Sequence, residues 1–305
     1  MSHSHSHSHA HSHAPTDYSH AFMIGVALNT VFVIAEVVYG LSANSLALIS
    51  DAGHNLSDVL GLLLAWAAIR LSRSRPTARR TYGLRRSSIL AALSNAAILL
   101  FVTGAITVEA VRRLWNPVPV VASTIMWVAA VGVLINGVTA AMFASGRKGD
   151  INIRGAFAHM VSDALVALGV VLTGFAIRAT GWLWLDPVAS IGIGLIIAVA
   201  TWSLLRESIK MAMDAVPENV DANAGESYLC SISGVNAVHD LHIWAMSTTE
   251  TCLTAHLLAP AGLDDAALAF ARTELHEHFG IVHSTIQVER GDAAEPCAQA
   301  DEAAV

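Results

Sequence analysis

Charge is what this 305-residue chain has least of: Asp, Glu, Lys and Arg make up 13% of it, where a soluble globular domain carries about 25%. Hydrophobic residues reach 54% and the mean hydropathy is +0.54. The shortage excludes an ordinary soluble domain and points to a membrane protein. Basic residues, 17 against 24 acidic ones for a net charge of −7, are too few and too scattered to build a face for nucleic acid. Cysteine is scarce too. Cys230, Cys252 and Cys297 are odd in number and form no C-x-x-C, which excludes a disulfide framework and a zinc knuckle. They read as reduced thiols on the cytoplasmic side. The first twenty residues lack Lys, Arg and any short apolar core, so no signal peptide is read there.

What is present begins with histidine. Residues 1–20 hold seven, mostly alternating with Ser or Ala, a low-complexity tract that cannot bury a core and is expected to be disordered. Six apolar stretches follow, at 21–40, 45–71, 88–111, 120–144, 154–179 and 186–205. Each approaches or exceeds the roughly 20 residues a helix needs to cross a membrane. Asn116-Pro117 with Pro119, and Gly146 to Gly149, separate neighbours. Asp186-Pro187 reads as an N-cap followed by proline at the first helical position.

Basic residues set the expected orientation. Arg70, Arg73, Arg75, Arg79, Arg80, Arg85 and Arg86 lie between stretches two and three. Arg147, Lys148 and Arg154 lie between four and five, and Arg206 and Lys210 follow six. In a six-span topology these all fall on one side, against Arg112, Arg113 and Arg178 on the other. Both termini are therefore expected in the cytoplasm. The arginines read as topological anchors ahead of a site for anionic lipid.

Ionisable residues inside spanning helices are costly, and each one is a functional hypothesis. The second stretch holds His54-Asn-Leu-Ser-Asp58 and the fifth His159-Met-Val-Ser-Asp163. In each, histidine and aspartate stand at i and i+4, on one helical face a turn apart. Two such helices offer two nitrogen and two oxygen ligands, the number a tetrahedral zinc site takes. Imidazoles favour Zn²⁺, Co²⁺ or Ni²⁺ over Mg²⁺ and Ca²⁺. A local His–Asp hydrogen bond is the plainer reading of either pair alone, and the repetition weakens it. Helices two and five run oppositely across the membrane in this topology, so the pairs resemble an inverted repeat with its site near the midplane.

Asn29 and Glu36, seven residues apart, share a face of the first helix. They are read as orienting the ligands and bonding neighbouring helices, with a proton-accepting role as the alternative. Asp51, one turn before His54, either helps an ion enter or packs helices. Asn95, Glu109 and Asn136 read as interhelical hydrogen-bonding groups.

From Met213 to Arg290 the pattern is that of a small soluble domain: helix 221–231, strands 235–246 and 249–258, an amphipathic helix 264–279 and a strand 284–289. This αββαβ order suggests a compact α+β unit, with a disordered tail after Asp292. His239, His242, His256, His276, His278 and His283 crowd into it. Regular strand alternation would point His239 and His242 to opposite faces, so one site is not expected to use both.

The run from Asn29-TVFVIAE through Ser45-LALISDAGHNLSD-Val59, with Tyr82-Gly83, Arg86, LAALSN, the HMVSD of the fifth stretch, Asp186-Pro187, VHDLHIW and TIQVE, resembles the cation diffusion facilitator family, the zinc-type transporters. The resemblance covers Ala21 to Glu289. It implies a homodimer, six transmembrane helices over residues 21–212 and a ferredoxin-like cytoplasmic domain over 213–291. It implies metal export coupled to proton entry, no resident cofactor, and a transport site of His54, Asp58, His159 and Asp163. It further implies a regulatory cytoplasmic site at His239, His256 and Glu289. Three positions depart from the pattern. Ser88 stands where many members have glutamate, which removes a salt bridge made there. The link between the second and third helices carries no His or Asp, so an extra metal site found there in some members is not expected. Gln287 replaces a histidine used by some relatives.

The expected mechanism is alternating access in a cell membrane, with Zn²⁺ (or Cd²⁺ or Co²⁺) displacing protons from ligands that must be deprotonated to bind. An intramembrane zinc hydrolase would need an open coordination position and a general base. Four protein ligands close the site and no H-E-x-x-H occurs. A membrane metal sensor is the other alternative.

Overall fold

A computed structural model describes residues 19–72, 74–144, 151–291 and 297. The His-rich tail to residue 18, Arg73, the segment 145–150 with Arg147 and Lys148, and most of the tail after Gly291 lie outside the described residues. The described chain runs α1 (Ser19–Ser42), α2 (Leu46–Ser72), α3 (Ser87–Trp115), α4 (Ala122–Phe143), α5 (Ile151–Thr180), α6 (Leu185–Ala212), α7 (Ala222–Ser231), β1 (Ala237–Ala245), β2 (Thr251–Leu258), α8 (Asp265–Phe279) and β3 (Ile281–Glu289).

Among the described residues, α3, α4, α5 from Arg154 and α6 are long and apolar enough to cross a membrane. The corresponding part of α1 is shorter, Ala27–Ser42. Helix α2 has 27 residues, but Asp51, His54, Asn55, Ser57 and Asp58 interrupt its apolar run. The side chains follow membrane logic. Phe101 (77% exposed), Trp127 (75%) and Val199 (69%) face outward, whereas Glu36, Asp51, Asp163 and Asp186 are buried. So much exposed apolar surface suits lipid, not water. Trp115, Trp182 and Trp184 sit at or beside helix ends, where interfacial tryptophans gather.

The chain forms two compact units, Met1–Asn55 with Arg113–Ser190, and Leu56–Arg112 with Ile191–Val305. In the first, α4 packs on both α1 and α5. Small residues permit the approach: a Cβ on Gly132 would stand 2.6 Å from Phe32 Cζ, and one on Gly174 2.9 Å from Met126 Cγ. Helix α2 is capped from two directions. Ser45 Oγ accepts from Leu48 N at 3.2 Å, and the buried Asp186 carboxylate accepts from Ser45 Oγ (2.5 Å) and Leu46 N (2.8 Å). Asp186 thus lies inside α6 and caps α2, instead of capping its own helix as the sequence suggested. A carboxylate at a helix N-terminus satisfies otherwise orphaned amides and complements the dipole.

In the second unit, a three-stranded sheet in the order β1-β2-β3 pairs β1 antiparallel and β3 parallel to β2. The parallel pair requires a crossover, which α8 supplies. Asp221 and Asp264 cap α7 and α8 by accepting from Ala224 N and Ala267 N. Gly280, at φ 67°, ends α8 in the left-handed conformation that glycine adopts without penalty. Leu229 and Leu275 of the helices meet Ile243, Leu253, Ala255 and Leu257 of the sheet in one core. The link before α3 and the first turn of α3 meet this domain through polar contacts. Arg85 pairs with Glu250 at 2.6 Å, Arg86 pairs with Asp214, and Ser88 Oγ accepts from Thr248 N at 3.1 Å. Ser88 therefore ties α3 to a backbone amide of the turn between β1 and β2.

The strands run slightly longer or shorter than expected; β3 begins at Ile281, ahead of Ser284. The register slips between His239 and His242, which pair with His256 and Thr254. Asp240 takes φ 49° there. One extra residue in β1 brings His239 and His242 to the same face, correcting the expectation from simple alternation.

Candidate metal centres

In the first unit, α2 and α5 bring together three of the four expected ligands. His54 Nε2 lies 3.4 Å from Asp163 Oδ1, and His159 Nε2 lies 3.6 Å from Asp163 Oδ2. The two rings meet edge-on with centroids 6.0 Å apart. Asp163 is 3% exposed, so both oxygens of one buried carboxylate face two imidazoles from different helices. Direct N–H···O bonds have a mode near 2.9–3.0 Å and rarely exceed about 3.2 Å. Two ligands bonded to one tetrahedral ion at about 2.1 Å lie about 3.4 Å apart. The spacing is compatible with an ion held between the donors. Asp58 lies one turn after His54 on the same helix α2, and that periodicity places it on His54's face.

Behind the ligands sits a buried polar cluster. Glu36 Oε2 accepts from Asn55 Nδ2 at 3.0 Å, and Glu36, Asp51 and Asn55 are all under 5% exposed. Asn55, next to His54, carries this link between α1 and α2. The sequence reading passed it over, although its place in a ligand-bearing helix was a usable signal. Asn29 makes no described hydrogen bond to a ligand, and its Oδ1 is buried without a hydrogen-bond partner among the described residues. Asn95 accepts from Ser57 Oγ at 3.4 Å, joining α3 to α2 within the second unit. Glu109 faces Arg112 of its own helix at 4.0 Å.

The cytoplasmic histidines do not act as a group. His276 is exposed on α8, and His278 pairs with Glu274 at 3.2 Å. The exposed His283 ring meets Tyr82 at 5.8 Å. His242 pairs with Asp240 at 2.9 Å. His239 and His256 converge instead on Glu289: His239 Nε2 is 3.2 Å from Oε2 and His256 Nδ1 is 3.0 Å from Oε1. Burial pulls the Glu289 carboxyl up, but hydrogen bonds from Cys297 and Gln287 and the two imidazoles outweigh it and hold it below the usual carboxylate range. Cys297 Sγ stands 3.7 Å from His256 Nδ1. Nothing in the spacing of the three cysteines marks Cys297, so only the fold identifies it.

Residues 22–213 match the family model described as cation efflux transmembrane domain, and residues 217–291 the one described as cation efflux protein, cytoplasmic domain. The chain is 39% identical over 292 residues to the metal cation efflux system protein CzcD of Cupriavidus metallidurans, covering 95% of this chain and 91% of that protein. It is 34% identical to the cadmium, cobalt and zinc/H(+)-K(+) antiporter of Bacillus subtilis over 88% of each. It is 33% identical to the zinc transporter ZitB of Yersinia pestis, covering 91% of this chain and 90% of that protein.

Proposed function

The chain belongs to the cation diffusion facilitator, or cation efflux, family of integral membrane transporters, and from that premise we propose that it exports Zn²⁺ from the cytoplasm in exchange for protons. The transport site is His54, Asp58, His159 and Asp163. The observation that carries this reading is the convergence of His54 and His159 on the two oxygens of buried Asp163 at 3.4 and 3.6 Å. Asp58 supplies the fourth donor. The ion enters from the cytoplasm as protons leave the ligands. After the helices rearrange it departs outward, and protons return. Glu36, Asp51 and Asn55 brace the ligand-bearing turn of α2, with Asn29 further along the same face of α1.

Six spans, cytoplasmic termini, a cell-membrane location and a homodimer complete the proposal. The α7-β1-β2-α8-β3 domain is read as ferredoxin-like with its first strand missing, and His239, His256 and Glu289 as its regulatory metal site. Names of relatives support the ion class: the Bacillus subtilis protein is called a cadmium, cobalt and zinc antiporter and the Yersinia pestis protein a zinc transporter.

Proteoliposomes test the reading. The parent protein is expected to take up Zn²⁺ with proton counterflow, and His159→Ala is expected to reconstitute equally well with uptake near background. Uptake by His159→Ala above about half the parent rate would falsify the four-ligand site.

A further inference from the structure

The cytoplasmic cluster holds two imidazoles and one carboxylate on the strands, and Gln287 stands across from His256 on β3. Gln287 is occupied otherwise: its Nε2 donates to Glu289 Oε1 at 3.0 Å. A fourth donor comes from outside the sheet. The donor atoms of His239, His256, Glu289 and Cys297 all lie within 4.8 Å of one another, although Cys297 follows Glu289 by eight residues.

Three observations separate this group from a chance thiol contact. Zinc bonds of about 2.3 Å to sulfur and about 2.0–2.1 Å to nitrogen place tetrahedral partners about 3.6 Å apart. Cys297 Sγ and His256 Nδ1 are separated by 3.7 Å. His256 is nine-tenths buried, and the ring of His239 meets it edge-on at 5.3 Å. The His239 Nε2 atom is buried and has no hydrogen-bond partner among the described residues, although Glu289 lies near it. A nitrogen aimed into a cluster without a hydrogen bond is what an ion would complete. The donors also suit one ion class: one sulfur, two nitrogens and one oxygen match Zn²⁺ or Cd²⁺, not Mg²⁺ or Mn²⁺.

We propose that Cys297 is the fourth ligand of a closed tetrahedral site with His239, His256 and Glu289. Its thiolate makes that site selective for thiophilic ions in a way that the sulfur-free transport site is not. On binding, the sulfur–hydrogen bond gives way to a sulfur–metal bond, and the proton passes to solvent. The inference rests on reading His239, His256 and Glu289 as a metal site, and adds the ligand that closes it.

Cobalt(II) tests it directly in the full-length His159→Ala protein in detergent, where the transport site is already damaged. Tetrahedral Co²⁺ reports its geometry through visible d–d absorption, and a sulfur ligand through a thiolate-to-cobalt charge-transfer band. The band is expected in the parent background and in Cys230→Ser, and is expected to vanish in Cys297→Ser. Cd²⁺ binding at the cluster should weaken roughly tenfold or more in Cys297→Ser, at least what loss of an outer partner costs a metal site. In Cys230→Ser protein, Cd²⁺ should also protect Cys297 from alkylation, and His239→Ala should abolish that protection. Cys252 offers little background because it is buried and its burial, then Glu250, push its thiol up. A tetrahedral Co²⁺ spectrum without a charge-transfer band, or one unchanged in Cys297→Ser, overturns the role of Cys297 and leaves the three-residue site standing. Absence of any tetrahedral Co²⁺ signal, with no protection of Cys297, overturns both.

Discussion

Asp163 is buried with both oxygens turned toward imidazoles. Burying a carboxylate is costly unless it is paired, and in the proposed site a bound cation would complete that pairing. Asp163→Asn keeps the shape but replaces one anionic oxygen with an NH₂ that cannot bind metal. Zn²⁺ uptake in proteoliposomes is expected to fall more than about tenfold, since a single 1.4 kcal/mol loss already gives that factor. Insertion and thermal stability should be retained. His54→Asp probes ion choice at the same helical position. It exchanges imidazole nitrogen for carboxylate oxygen and adds negative charge, making the site more hospitable to harder ions. Competition assays are expected to show a reduced preference for Zn²⁺ over Mn²⁺ with some transport retained. An unchanged preference would remove His54 from the ion's coordination.

The elements matter because each ligand is only as well placed as its helix. The start of α2, eight residues before His54, is fixed by Ser45 and by Asp186 reaching across from α6. Asp186→Ala leaves a buried hydroxyl and at least one buried amide without their acceptor, a loss of about 1–3 kcal/mol for each unsatisfied group. A lowered melting temperature in detergent is expected, with Zn²⁺ affinity reduced because the ligand-bearing turn loses its anchor. A melting curve like the parent's would show that the cap is dispensable. The α1–α4 contact offers a complementary test. Gly132→Ala drives a methyl into the Phe32 ring and is expected to cost about 1–3 kcal/mol by overpacking. Phe32→Leu should recover part of that loss in the double variant. Additive losses would mean that the two sites do not touch.

At the scale of the whole molecule, the proposed function is a cycle whose coupling would be chemical. Metal binding and protonation compete for the same histidines and carboxylates, so an inward proton gradient is expected to accelerate Zn²⁺ export. Vesicles whose rate and extent of transport ignore collapse of the gradient would count against antiport. The histidine tract before α1 reads either as a tethered chelator that would raise local metal concentration or as a dispensable tail, and neither role puts it in the transport path. Removal of residues 2–13 should raise the apparent Michaelis constant for Zn²⁺ modestly and spare the maximal rate, and complete loss of transport would place the tract in the pathway.

The sequence alone determined the element order, because long apolar runs and period-two strands are local patterns that each segment carries by itself. It also singled out His54, Asp58, His159 and Asp163. Ionisable residues are rare enough in apolar helices that two His-x-x-Ser-Asp runs stand out without any fold. What depended on tertiary structure were relations between segments. Asp186 looked like a cap for its own helix and serves α2, since a carboxylate's partners are set by which helix end it faces. The slip in β1 reversed the expected side of His242 relative to His239, because one bulged residue changes strand parity and no residue type announces it. Cys297 carried no signal in its spacing. Its sulfur acquires meaning only from standing 3.7 Å from His256, a proximity that folding creates between residues 41 positions apart.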